Sequence, residues 1–116
     1  MKPSSLMLAA ACIAMLPVTS HAEPANPYSA LQVIGGCRDF VNKTDPDFLS
    51  GICVGIVSAL AALEPRTTGV CIPEEVTVGQ EVRVVFTYID IRRSNRLHED
   101  FRKLALEALR EAWPCR

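Results

Sequence analysis

The chain has 116 residues, with 12 lysines and arginines against 13 aspartates and glutamates, for a formal charge of −1. This near balance excludes the strongly basic composition of proteins that bind nucleic acid or anionic membrane surfaces. A chain of this length forms one small domain with a modest core, and such domains commonly need covalent stabilisation.

The N-terminus has the features of a cleaved export signal. A basic start and an unbroken apolar run over residues 6–16 are followed by the small residues Ser20 and Ala22. This pattern predicts a signal peptide over residues 1–22, cleaved before residue 23. The mature protein is then a single domain of residues 23–116, which we expect in the periplasm.

Five cysteines occur in the chain, and one of them lies inside the predicted leader. Lipidation of that residue, Cys12, is an alternative to simple cleavage, although the apolar run continues past it. The predicted mature domain keeps Cys37, Cys53, Cys71 and Cys115. An even number of cysteines in a small exported domain indicates disulfides, and four cysteines allow three pairings.

Two helices are predicted at the start of the mature domain. Leu31, Ile34 and Cys37 recur at spacings of three, which predicts a helix over residues 28–41. Residues 48–63 contain no charged residue, so we expect a central helix that is buried on nearly every face. It is shorter than the roughly 20 residues that a membrane-spanning helix requires.

The central helix also carries local signals for its start and its packing. Pro46 fits the first helical position, with Thr44 or Asp45 as the N-cap. Gly51 and Gly55 lack side chains, and we expect them to let neighbouring elements of the fold approach closely.

The turn between these helices favours one disulfide. Cys37 and Cys53 lie at equal distances on either side of Asp45, the middle of the turn, and would face each other in an antiparallel hairpin. A bridge that closes such a loop contributes about 3 kcal/mol in the chain-entropy model.

The segment after the central helix is ambiguous on local grounds. Thr77 and Gln80 have the spacing of a capping box, which predicts a helix beginning near residue 78. Its buried stripe would comprise Val78, Val82, Val85, Phe86 and Ile89. The alternation of apolar and polar residues over 82–88 fits a strand equally well, so local pattern alone leaves helix and strand open.

The C-terminal region reads as a basic connection followed by an amphipathic helix. Arg92, Arg93 and Arg96 are expected to face solvent, and Ser94 or Asn95 can cap a helix over residues 97–112. Pro114 ends that helix. If the last two helices are antiparallel, Cys71 lies beside Cys115, so we favour the pairs Cys37–Cys53 and Cys71–Cys115.

No set of catalytic residues, metal ligands or cofactor contacts is predicted. The mature chain has one histidine, His98, and no C-x-x-C motif. The acidic pairs Asp45 with Asp47 and Glu74 with Glu75 are more simply explained by the attraction of negative charge to helix N-termini.

Three short motifs together are similar to a known family. Gly51-Ile52-Cys53-Val54-Gly55, then Cys71-Ile72-Pro73, then Ala112-Trp113-Pro114-Cys115 resemble the Rap/Tai family of type VI secretion immunity proteins in order and spacing. The resemblance implies an all-α, disulfide-stapled periplasmic domain of about four helices, and therefore a helix rather than a strand over residues 78–91.

The resemblance also implies a function and partners. Such proteins bind peptidoglycan amidase effectors and occlude the active site, and they commonly act as homodimers. Steric inhibition requires no catalytic residue and no cofactor of the inhibitor. The connections between helices are the expected contact surface, and the candidate residues there are Arg66, Glu74, Glu75, Arg92, Arg93 and Arg96.

Two other classes of function are alternatives to this one. A small periplasmic chaperone or stress protein would share the helical, disulfide-stapled design but would have no dedicated toxin partner. An enzyme is disfavoured, because one histidine and scattered carboxylates form no recognisable catalytic site.

Overall fold

The computed structural model describes residues 26–44 and 47–116, together with Met15 and Pro17. Helices form in the order α1 (Ala30–Val41), α2 (Phe48–Ala61), α3 (Pro65–Thr68), α4 (Val78–Thr87) and α5 (Phe101–Ala112). A π-helical turn, Tyr88–Arg92, continues α4, and a 3-10 turn, Ser94–Arg96, precedes α5. The described residues form no strand, so the all-α prediction is confirmed and the strand alternative over 82–88 is wrong.

The predicted signal peptide, residues 1–22, lies outside the described residues apart from Met15 and Pro17. The division of the chain after residue 22 therefore stays a prediction. Within the described part, none of the helices has both the length and the apolar character needed to cross a bilayer.

The first two helices pack against each other and are linked covalently. Cys37 and Cys53 form a disulfide with their Cα atoms 5.3 Å apart, and both residues are fully buried. The second bridge joins Cys71 to Cys115, with a Cα separation of 4.9 Å. These are the two pairs that the sequence favoured.

The start of α2 differs from the prediction. Asp47 is the N-cap: its side chain accepts a hydrogen bond of 2.8 Å from the Ser50 amide, and Phe48 is the first helical residue. The expected cap at Thr44 or Asp45 is therefore wrong, and the first helical position belongs to Phe48; Pro46 itself lies outside the described residues. The same amide hydrogen bond lowers the pKa of Asp47.

The burial of α2 also differs from the prediction. Only Ser50, Cys53 and Val57 of this helix are buried, and Phe48 is 80% exposed. An apolar, charge-free sequence permits burial on every face, but the other helices cover only one side. The opposite side of α2 is an uncharged surface open to solvent.

A different glycine from those predicted allows the close packing of the hairpin. A Cβ atom added at Gly51 or Gly55 would have no neighbour within 4 Å, so neither residue mediates a close approach. A Cβ atom at Gly36 of α1 would overlap the carbonyl group of Leu49 and lie 2.6 Å from the Ser50 amide nitrogen. Gly36 is where α1 and α2 meet.

Helix α4 begins with the predicted capping box. The Thr77 hydroxyl accepts from the Gln80 amide, and the Gln80 side chain accepts from the Thr77 amide. Val82, Val85 and Ile89 are fully buried as expected. Val78 is 42% exposed, so its place in the predicted buried stripe is wrong.

Helix α5 begins later than predicted. Asp100, rather than Ser94 or Asn95, is its N-cap, and its side chain accepts from the Arg102 amide. The residues just before α5 also complete the start of α1: the Ala30 amide donates to the Glu99 carbonyl over 2.8 Å. The first amide groups of α1, which have no partner within their own helix, are satisfied in this way.

The core is formed where α1, α2, α4 and α5 meet. Apart from the disulfide-bonded Cys37 and Cys53, its fully buried side chains are aliphatic or aromatic, and the largest are Phe101, Ile89, Leu104, Leu109, Val33, Val57, Val82 and Val85. The C-terminus is held to the segment after α3, because the Cys71 amide donates to the Trp113 carbonyl over 2.8 Å.

Candidate interaction site

The predicted contact residues lie in two connections, one on either side of α4. Arg66, Glu74 and Glu75 belong to the connection between α2 and α4, and all three are exposed. Arg92, Arg93 and Arg96 belong to the connection between α4 and α5. The two groups differ in how firmly the fold holds their side chains.

Arg96 is the centre of a partly buried ion-pair network. Its guanidinium donates to Glu99 and, over 2.8 Å, to Glu107 on α5. Lys103 donates to Glu99 over 2.7 Å, and the two residues are four positions apart. The Arg96 side chain is only 26% exposed, so the expectation that it faces solvent freely is wrong.

The network changes the proton affinity of its members. The hydrogen bonds from Arg96 lower the pKa of Glu99 to about 2, with a further contribution from Lys103. Arg96 likewise lowers the pKa of Glu107, and the pKa of Arg96 itself is raised by its hydrogen bonds to Glu99 and Glu107. All three groups stay charged at neutral pH and hold the α4–α5 connection against α5.

Tyr88 joins this network to the other two arginines of the connection. Its hydroxyl donates to Glu107 over 3.1 Å and accepts from the Arg93 guanidinium over 3.3 Å. The guanidinium carbons of Arg92 and Arg93 lie 5.3 and 5.1 Å from the centre of the Tyr88 ring, which is the geometry of cation–π contacts. Arg92 also pairs with Glu111 of α5.

The sequence did not indicate Tyr88 and Glu107 as parts of this site. A signal for Glu107 was present, because it lies four residues after Lys103 and eight after Glu99 on one face of the helix predicted over residues 97–112. The role of Tyr88 depends on the π-helical turn, which places its ring beneath two arginines and has no signature in the local sequence.

One carboxylate is buried without a hydrogen-bond partner. Glu81 on α4 is 7% exposed, and its Oε2 atom has no donor among the described residues. Burial raises the pKa of this carboxyl group. The position was readable from the sequence, since Glu81 lies on the stripe of Val82 and Val85.

The arrangement offers surfaces for binding. His98 is exposed. Within residues 26–44 and 47–116, no three side chains of histidine, cysteine, aspartate or glutamate come together as a metal site. The described surface presents arginine guanidinium groups and exposed carboxylates, and α2 adds an uncharged face.

A model of the family described as Rap1a immunity proteins matches residues 7–115. The chain belongs to this family. The match covers nearly the whole sequence, and it agrees with the resemblance that the glycine, cysteine and proline motifs carried. No curated protein and no solved structure gives a significant match.

Membership in the Rap1a immunity family defines the class of function. An immunity protein acts by binding a cognate effector, and the family implies an effector of a type VI secretion system. The two disulfides of the fold tie separate parts of the chain together. Disulfides also agree with an exported protein.

Proposed function

We propose that this Rap1a family member is a periplasmic immunity protein that binds a peptidoglycan amidase effector and occludes its active site. Residues 1–22 are the signal peptide, and the mature domain protects the producing cell and its siblings. The observation that carries the proposal is the family match over residues 7–115. The mechanism is steric, so the chain contributes contact surface and no catalytic group.

The stapled fold supports this proposal. One disulfide holds α1 to α2, and the other holds the C-terminus to the segment after α3. The four longer helices, α1, α2, α4 and α5, pack against one another. A rigid inhibitor loses little conformational entropy when it binds, and this favours tight association.

The proposed contact residues are those of the two connections that flank α4. Arg66, Glu74 and Glu75 are exposed and free to meet a partner. The guanidinium groups of Arg92 and Arg93 lie over the Tyr88 ring. Arg96 pairs with Glu107 and so holds the α4–α5 connection against α5. We assign Arg96 the task of positioning this surface.

The test uses the oxidised mature domain and the amidase encoded in the adjacent reading frame. Peptidoglycan hydrolysis by that amidase is measured with increasing molar ratios of the immunity protein. We expect inhibition that is complete near equimolar amounts, with a structurally unrelated amidase as the control that stays active. Undiminished hydrolysis at a tenfold molar excess would falsify the proposal.

We also propose that the domain forms a homodimer through the exposed side of α2. Phe48 and Leu63 are 80% and 49% exposed, and the helix between them carries no charge. Two such faces are complementary to each other, because neither must desolvate a charged group. Sedimentation equilibrium is expected to give a dimer for the wild type and a monomer for Phe48→Glu; a wild-type monomer at 100-fold the expected cellular concentration contradicts this part.

A further inference from the structure

Two grooves lie side by side on the surface and share one residue, Arg83 of α4. The first, of about 370 Å³, runs between α4 and α5 and includes Arg83, Tyr88, Arg92 and Glu111. The second, of about 400 Å³, runs between the end of α1 and the start of α4 and includes Phe40, Lys43 and Arg83. Arg83 therefore stands on the ridge between them.

The two grooves are lined by more basic than acidic side chains, in a chain whose formal net charge is −1. Three cations line them, Lys43, Arg83 and Arg92, against a single carboxylate, Glu111. Arg92 is already paired with Glu111. Arg83 and Lys43 form no ion pair with any described residue, so their charge is available to a ligand.

Apolar side chains form part of the lining of each groove. Val84, Ala108 and Ala112 line the first groove, and Phe40 and Val41 line the second. Phe40 is 37% exposed. A ligand that fills both grooves would thus meet aliphatic and aromatic surface on each side of a central guanidinium group.

We infer that this face, centred on Arg83, is where an acidic segment of the effector docks, with a carboxylate on Arg83 and apolar side chains in the two grooves. The inference rests on the proposed function and names its contact surface more closely. Guanidinium groups bind carboxylates through paired hydrogen bonds, and arginine is enriched among the residues that dominate binding energy.

The geometry favours a polypeptide segment over a small anion. The ligand surface extends on both sides of Arg83, whereas a single anion would occupy only the ridge. The N-terminal turn of α4 lines the second groove, but its Thr77 and Gln80 side chains already occupy two of the amide groups that would hold a phosphate. The apolar residues in the lining of both grooves match the side chains of a peptide.

The face also joins the predicted contact region to Arg83, a residue that the sequence pattern did not indicate as a contact residue. Arg92 is one of the candidates of the α4–α5 connection, and it lines the first groove together with Arg83. In the sequence Arg83 appears only as a polar residue between Val82 and Val84. Arg83 lines both grooves because α1 and α5 pack on either side of α4.

The test measures the affinity of the mature domain for the amidase encoded beside it, by isothermal titration calorimetry at two salt concentrations. The variants are Arg83→Glu and Arg83→Gln, with Arg116→Glu as the matched control, since Arg116 is an exposed arginine that lines neither groove. We expect Arg83→Glu to raise Kd at least ~10-fold and Arg116→Glu to change it less than ~2-fold. The urea midpoint of each variant verifies folding.

The outcomes separate this inference from the proposed function. If the wild type inhibits the amidase but both Arg83 variants bind it as tightly as the wild type does, the docking face is wrong and the proposed function stands. If the wild type does not bind the amidase at all, both the docking face and the proposed function are wrong. A wild-type affinity that decreases with salt more steeply than that of Arg83→Gln supports a carboxylate on Arg83.

Discussion

Gly36 of α1 lies directly against the backbone of Leu49 in the first turn of α2. We expect Gly36→Ala to destabilise the fold, because the added methyl group overlaps backbone atoms that cannot move without shifting the whole helix. The expected loss is about 1–3 kcal/mol of unfolding free energy, measured by urea denaturation of the oxidised protein.

The neighbouring glycine supplies the control for this experiment. A Cβ atom at Gly35 meets nothing within 4 Å, so Gly35→Ala should instead stabilise α1 by roughly 0.5–1 kcal/mol through helix propensity. Equal stabilities of the two variants would contradict the close contact at Gly36.

The two disulfides differ in burial and should differ in their response to reductant. Cys37 and Cys53 are fully buried, whereas Cys71 and Cys115 are exposed. Thiol-disulfide exchange requires access to a sulfur atom, so the exposed bridge should open at least ~10-fold faster under native conditions. Alkylation after timed reduction, followed by mass spectrometry, measures both rates; simultaneous opening of the two bridges would be the contrary result.

The bridges also constrain loops of different length. They span sequence separations of 16 and 44 residues. In the chain-entropy model these contribute about 3 and about 4 kcal/mol respectively. Cys71→Ala with Cys115→Ala should therefore lower stability by about 4 kcal/mol without opening the α1–α2 contact, and calorimetry of the double variant checks this.

Glu81 should make stability depend on pH. Burial raises the pKa of this carboxyl group in the folded state, so the folded state binds the proton more tightly than the unfolded state. Its favourable contribution is complete below the ordinary pKa of glutamate and is lost as pH rises through the raised folded value. At neutral pH the charged group therefore costs stability.

Glu81→Gln tests this directly. We expect the variant to exceed the wild type by about 1 kcal/mol in unfolding free energy at pH 7.5, with the difference shrinking at pH 4. Glu74→Gln, at an exposed position, is the matched control and should change little at either pH. A difference that grows toward acidic pH would show that the charged form is the stabilised one.

The Arg96 network should act in the opposite direction. Hydrogen bonds from Arg96 lower the pKa of Glu99 to about 2, so this contribution is present above the ordinary glutamate pKa and is lost as pH falls toward 2. Arg96→Gln should lower the urea midpoint at pH 7 and approach the wild-type midpoint near pH 2. A constant difference across that range would argue that packing, and not charge, is what Arg96 contributes.

Local signals predicted the parts of this fold whose determinants are close together in sequence. The capping box of Thr77 and Gln80 depends on an offset of three residues, and it forms as expected. The amphipathic pattern over residues 97–112 predicted a helix, and Phe101, Leu104 and Leu109 of α5 are fully buried. The pairing of Cys37 with Cys53 followed from their symmetry about a short turn.

Other features depend on which elements pack together, and the sequence alone could not reveal them. The composition of α2 allows burial on all sides, but only the other helices decide how many sides are covered. The same limitation applies to glycine, since Gly36 and Gly51 look alike until a neighbouring backbone is placed against one of them. The two grooves beside Arg83 likewise form only where α1 and α5 pack against α4.

The two bridges differ in how much of the chain must be present before they can close. Cys71 and Cys115 are 44 residues apart, whereas Cys37 and Cys53 are 16 apart. Both α4 and α5 lie between Cys71 and Cys115, so this bridge cannot close until the two helices have been synthesised and have passed any channel that the chain crosses. The α1–α2 bridge can form while those helices are still emerging. Formation of the two disulfides is therefore ordered in time.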